Sequence, residues 1–189
     1  MPNMMIQNRQ KQISRKEIHK MRMLFEIDKK DYVIGGSFLS RPSARGIIIK
    51  NGKIAMVHSR KFDYYKFPGG GIEDNERKED ALIREVLEET GLCVIRESIT
   101  EYGQVHRIQK GTKEDIFIQD NYYFLCNVED DVKQQSLDEY EADEGFVLEY
   151  VTPKFAADKN RKSRIDEFSR EMLERDAKVL ELLMQEGYF

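Results

Sequence analysis

Phe67-Pro68-Gly69-Gly70-Gly71 and the stretch behind it constrain this chain more than any other segment. Proline fixes its own φ, and three successive glycines open backbone conformations closed to other residues, so a β region ends here in a tight turn. The pattern then predicts a helix from about Glu79 to Glu89, with Ala81, Leu82, Ile83, Val86 and Leu87 as its apolar side and Gly91 as its stop. At helical spacing Glu85, Glu88 and Glu89 share one sector of about 100°. Taken alone, such a triple is more often plain solvated surface. A partly buried pair of like charges costs on the order of 3 kcal/mol, and a divalent cation converts that repulsion into binding. All-oxygen ligands favour Mg²⁺ or Mn²⁺ over Zn²⁺.

The frame around the triple is more specific. Gly70, Glu76, Arg84-Glu85-Val86, Glu88-Glu89 and Gly91-Leu92 complete a nine-position pattern. This pattern is the signature of the Nudix (MutT-like) hydrolases, and the chain resembles that family from about residue 40 to residue 160. The resemblance implies an α/β fold, an α/β/α sandwich with a loop-helix-loop carrying the signature, to which the order of elements along the chain adds a mixed sheet and a C-terminal amphipathic helix. It also implies hydrolysis of a nucleoside diphosphate linked to another group, with divalent metal. Glu85, Glu88 and Glu89 then correspond to metal ligands, the carbonyl of Gly69 to a backbone ligand, and Arg84 to an orienting arginine whose i to i+4 spacing lets it hold Glu88. Asn75-Glu76-Arg77 departs from the commoner Gly-Glu-Ser. Arginine is a poor N-cap, costing about 1 kcal/mol, which Glu79 and Asp80 partly offset through the helix dipole.

Diphosphate hydrolysis also needs a carboxylate to accept the proton of the attacking water. The resemblance draws it from the signature helix, here Glu89, or from a later loop. The formal charge of −4 hides where such a loop lies. Residues 1–31 carry eight Lys/Arg against four Asp/Glu, leaving −8 on the rest, and Glu129 to Glu144 alone holds eight acids against Lys133. Leu137 to Phe146 resembles the segment before the last strand of many Nudix proteins. Glu141 and Glu144 rank equally there as candidate bases, with a solvated acidic loop as the plainer alternative. Arg45, Lys66 and Arg107 are candidates to face an anionic substrate, although Lys and Arg mostly sit on the surface. Tyr64 and Tyr65 can stack on a base, core packing being their commoner use.

Elsewhere, Gly46 to Val57 with Asn51-Gly52 at its centre predicts a hairpin. Strands are expected at Tyr102 to Ile108, Ile116 to Val128 and Phe146 to Val151. Thr152-Pro153 suits a helix start. A helix from roughly Ser163 to Glu186, with Ile165, Phe168, Met172, Val179 and Leu183 among its apolar residues, caps the sheet or, alternatively, joins two copies in a homodimer. Residues 1–20 are expected as a flexible or short helical segment, since Ser14 and Glu17 have capping-box spacing before Ile18, Met21 and Leu24. Residues 21–189 are expected as a single domain.

No apolar run approaches the roughly 20 residues of a membrane span. The near balance of 31 basic and 35 acidic residues argues against bulk nucleic-acid binding. Cys93 and Cys126 cannot build a disulfide framework, and Met1 to Gln12 lacks the apolar core of a secretory signal, so a cytoplasmic location is expected. The leading function is a Mg²⁺-dependent Nudix hydrolase acting on a small-molecule nucleotide or other diphosphate. The alternatives are a nucleotide-binding sensor of the same fold that does not hydrolyse, or another diphosphate chemistry. The proline that marks many ADP-ribose hydrolases is replaced by Arg107, and Gln109 and Lys110 stand where diadenosine polyphosphate hydrolases carry tyrosine. A nucleoside triphosphate or a broad diphosphate remains.

Overall fold

Asn51 and Gly52 both take positive φ (+54° and +70°), the backbone of a type I′ turn, so the Asn-Gly pair closes the expected hairpin. The structure, a computed structural model, describes residues 21–163 and 167–189. In chain order β1 (Met23–Asp28), β2 (Phe38–Ser40), β3 (Ser43–Ile47), β4 (Ile49–Lys50), β5 (Lys53–Ser59), β6 (Tyr64–Lys66) and β7 (Gly69–Gly71) lead into α1 (Lys78–Thr90). Then come β8 (Leu92–Val94), β9 (Thr100–Gln109), β10 (Ile116–Leu125), β11 (Val128–Val132), α2 (Glu139–Glu144), β12 (Phe146–Val151), α3 (Pro153–Lys162) and α4 (Glu167–Gln185).

The main sheet runs β1-β9-β10-β3-β7, with β2 also on β10. It is mixed: β10 is antiparallel to β9 and parallel to β3, while β7 lies antiparallel to β3. A second sheet, β12-β5-β4 with β6 on β5, is antiparallel throughout. The break at Ile48 passes the chain from the first sheet to the second. Alternation along the strands fills both faces. Ala44, Ile48 and Phe124 pack with Ala81, Leu82 and Val86 of α1. Ile47, Val105 and Tyr123 pack with Ala156 and Ala157 of α3 and with Ala177, Leu180 and Leu183 of α4. Helices thus cover both sides of the β layer, the expected sandwich.

Two expectations need correction. Leu24 does not continue a helix: Met23–Asp28 is a strand, parallel to β9, and Leu24, Phe25 and Ile27 pack against the core from it. The Ser14 cap itself lies outside the described residues. Second, the glycines do not merely end a β region, since Gly69–Gly71 is itself the edge strand β7. The two helices expected at the end of the chain are both present: Thr152 caps α3 through Phe155 N–H, and α3 stops at Lys162, before α4. Ile165 lies outside the described residues. Among the described residues no helix is long and apolar enough to cross a membrane.

Candidate active site

The glycine turn is shaped by its neighbours. Gly69 takes φ +131°, and a Cβ there would stand 2.1 Å from the carbonyl oxygen of Ala44, so the strand pairing itself demands glycine. Gly70 is restricted by the helix: its Cβ would lie 2.1 Å from Glu85 Oε2. The carboxylate of Glu85 therefore rests directly on the turn.

α1 starts at Arg77 with no side-chain cap, and Glu79 and Asp80 occupy its first turn. Asn75 takes φ +64°, a conformation Asn tolerates. Arg84 is the hub of the helix face. Its Nε and Nη2 donate as a fork to Glu76 Oε1 and Oε2 (both 2.9 Å), Nη2 also to the Gly71 carbonyl (3.0 Å), and Nη1 to Glu85 (2.7 Å) and Glu88 (3.3 Å). The hydrogen bond from Arg84 holds the Glu76 carboxyl below its ordinary range, whereas burial pushes that of Glu85 up. Arg84 thus fixes two of the three carboxylates at once.

Glu89 behaves differently. It is 1% exposed, accepts from Lys66 Nζ (2.6 Å) and Gly69 N–H (2.8 Å), and burial pushes its carboxyl up to about 6 against the opposing Lys66 and Arg45 charges. The shared sector read from the sequence therefore resolves into an Arg84-bound pair and one inward carboxylate. Among the described residues no three His, Cys, Asp or Glu side chains converge on a common point as they stand.

Two clefts meet at this turn. The larger, about 590 Å³, contains Arg45, Lys66, Gly69, Gly70 and Glu89 and extends to Arg107 and Arg175. The smaller, about 470 Å³, contains Gly70, Gly71, Arg84, Glu85 and Glu141. Tyr140 lines both. The three predicted cations all line the larger cleft, and all three are buried, against the surface habit of their types. Arg45 donates to the Gly69 carbonyl, Lys66 pairs with Glu89, and Arg107 donates to Glu171 (2.6 Å) and Gln109 (2.7 Å).

The two acids ranked equally are separated by the fold. Glu141 is the N3 residue of α2; its Oε2 closes a capping box on Asp138 N–H (3.0 Å) and its Oε1 accepts from Tyr140 (2.9 Å) at the smaller cleft. Glu144 accepts from Ser59 Oγ (2.9 Å) and Tyr64 OH (2.7 Å), tying α2 to β5 and β6, and lines neither cleft. Tyr64 and Tyr65 are core residues, with hydroxyls on Glu144 and Glu149.

Sequence reasoning missed Arg175 and Asp176 of α4. Both are buried; Arg175 Nη1 donates to Asn121 Oδ1 (2.6 Å), and Asp176 accepts from Tyr123 OH (3.1 Å). The signal was available: Asp176 interrupts the apolar stripe of Met172, Leu173, Val179, Leu180 and Leu183, and a charge in such a stripe is buried with a partner.

The family model described as the NUDIX domain matches residues 40–175. An 8-oxo-dGTP diphosphatase of Buchnera aphidicola subsp. Schizaphis graminum is 44% identical over 55 residues, 27% of this chain and 42% of that protein. An RNA pyrophosphohydrolase of Pasteurella multocida is 43% identical over 54 residues, 28% of this chain and 27% of that protein. The chain thus spans less than half the length of these curated relatives. Among solved structures, a NUDIX hydrolase from Nitrosomonas europaea superposes with TM-score 0.52 at 18% identity, covering 75% of this chain and 90% of the other. The mutator MutT protein from Bacillus halodurans gives 0.51 at 16%, covering 70% and 79%. These two likenesses concern the fold.

Proposed function

The chain belongs to the NUDIX domain family, and from that membership we propose that it is a divalent-metal-dependent hydrolase cleaving the diphosphate linkage of a nucleoside diphosphate derivative by attack of water at phosphorus. The observation that carries this reading is the larger cleft, where Arg45, Lys66, Arg107 and Arg175 line a wall that begins at the carboxylates of α1. An acidic chain that gathers cations in one place has arranged them for an anion. The relatives' names, 8-oxo-dGTP diphosphatase and RNA pyrophosphohydrolase, favour a triphosphate-bearing substrate.

The residues present fit a hard divalent ion. Glu85 and Glu88 offer carboxylate oxygens that Arg84 holds, and the bare Cα of Gly70 leaves Glu85 room at the turn. Glu85, Glu88, Glu89 and the Gly69 carbonyl would hold Mg²⁺ or Mn²⁺. When bound, the ion offsets phosphate charge and makes water a stronger nucleophile. Arg84 keeps the ligand carboxylates in place. Arg45, Lys66 and Arg107 set the anion's position along the cleft. The water's proton goes to Glu89 or Glu141, the two acids on either side of the turn.

The test is a panel of nucleoside triphosphates and nucleoside diphosphate derivatives assayed with Mg²⁺. Nucleoside monophosphate with pyrophosphate, or with the phosphorylated other group, is expected as product. A ligand that binds the folded state raises its stability, so millimolar Mg²⁺ is expected to raise Tm. No product across the panel, with nucleotides still stabilising the fold, would show a sensor instead. Gly70→Ala provides a geometric check. Its methyl must displace the flexible end of Glu85, so the fold should survive while kcat/KM falls by about 100-fold, the cost of misplacing a reacting constellation by about 1 Å. Unchanged kinetics would show that the position of Glu85 is immaterial.

A further inference from the structure

The larger cleft does not stop at the hydrolytic end. Arg45 lies on β3 opposite Gly69 of β7 and Tyr123 of β10, while Arg107 lies on β9 opposite Gln119 of β10. Three strand spacings, roughly 14 Å, separate the strand of Gly69 from that of Arg107, before the four residues from Tyr123 to Gln119 are added along the strand. Arg175 of α4 bridges the gap over Asn121. One diphosphate cannot contact both ends of this row.

The far end holds charge without a use at the near end. Lys110 and Lys113 line its rim, are exposed, and enter no ion pair among the described residues. Seven cationic residues line the cleft against the carboxylates Glu89 and Glu114. One of the buried guanidiniums also keeps a donor in hand: Arg45 Nε has no hydrogen-bond partner among the described residues. A buried donor of this kind is costly to leave without an acceptor. Between the two ends Leu39, Phe117 and Met172 give the wall apolar surface on which a base can rest.

We infer that the Arg107–Lys113 end of this cleft is a second phosphate subsite, and that the preferred substrate is a nucleotide phosphorylated at both ends of its nucleoside. The anhydride lies at α1, and a phosphate on the 3′ side reaches Arg107, Arg175, Lys110 and Lys113. The inference rests on the placement of the hydrolytic centre at α1, so its test uses binding, without cleavage. Nucleoside 5′-monophosphate, 5′-diphosphate and 3′,5′-bisphosphate are titrated by calorimetry in the adenosine and guanosine series. The bisphosphate is expected to bind about tenfold tighter than the monophosphate, and tighter than the diphosphate, which carries as many phosphates at one end. Added salt should shrink this preference, because the rim charges are screened within about 10 Å.

Lys110→Ala/Lys113→Ala, two exposed changes that leave the core intact, should cut the preference for bisphosphate over monophosphate to about threefold, since Arg107 and Arg175 remain. A 5′-phosphorylated dinucleotide that binds like the bisphosphate assigns the subsite to a phosphodiester; one that binds like the monophosphate assigns it to a terminal phosphate. Equal affinity for the diphosphate and the bisphosphate, or a ratio that the double variant leaves unchanged, overturns the inference. Loss of the hydrolase reading alone would leave this preference in place, so the two failures are distinguishable.

Discussion

Glu85→Gln and Glu88→Gln are each expected to lower kcat/KM by more than about 100-fold while leaving the fold intact. Loss of a partner that merely orients a ligand costs about 10–100-fold in metal affinity or activity, and a ligand carboxylate should exceed that. Arg84→Lys, which removes the fork to Glu76 and retains the charge, belongs in the lower range. Stability should move the other way for Glu85. Its carboxyl is pushed up by burial, so the neutral amide relieves a desolvation cost, at the loss of its link to Arg84. Thermal denaturation beside steady-state kinetics therefore separates a collapsed helix from a disarmed one. If Glu88→Gln turns over every accepted substrate as fast as the parent at saturating Mg²⁺, the site is misplaced.

What could be recognised from the sequence was local. Gly70 to Leu92 spans one turn and one helix, and the relation between its glycines, Arg84 and the glutamates follows from chain geometry alone. The Asn51-Gly52 turn and the Thr152-Pro153 helix start are equally local. What escaped were the contacts between residues far apart along the chain. Arg45 meets Gly69 by strand pairing, Arg175 meets Asn121 from the last helix, and Glu144 meets Tyr64 across 80 residues. Residues 21–28 show the same contest from the other side. A local capping signal favoured a helix, and pairing with β9, whose partners begin at Gln104, decided for a strand. The different placement of Glu141 and Glu144 was partly available locally: Asp138 and Glu141 have the spacing of a capping box, which fixes Glu141 at the start of α2.

Lys66→Met is expected to destabilise the fold by about 3–5 kcal/mol, the usual cost of removing one member of a buried ion pair. Its ammonium is 2.6 Å from Glu89 Oε1 with side-chain exposures of 7% and 2%, and it lies 4.4 Å from the centre of the Phe146 ring. Methionine fills most of the lysine's volume with an apolar side chain and removes the charge together with its hydrogen bond to Glu89. Glu89 would then keep Gly69 N–H but lose the cation that offsets its burial. Against a typical total of 5–15 kcal/mol this is a large fraction, and the urea midpoint should fall by about 1–2 M. Adding Glu89→Gln should recover most of the loss, because a neutral side chain at that place no longer needs the ammonium. The cycle, run without metal, decides what Lys66 is for. If Lys66→Met alone is as stable as the parent, the lysine is free to meet the substrate as the sequence suggested. If the double variant regains the stability that Lys66→Met loses, Lys66 first serves to keep Glu89 charged inside the protein, and its contact with an anion depends on that pairing.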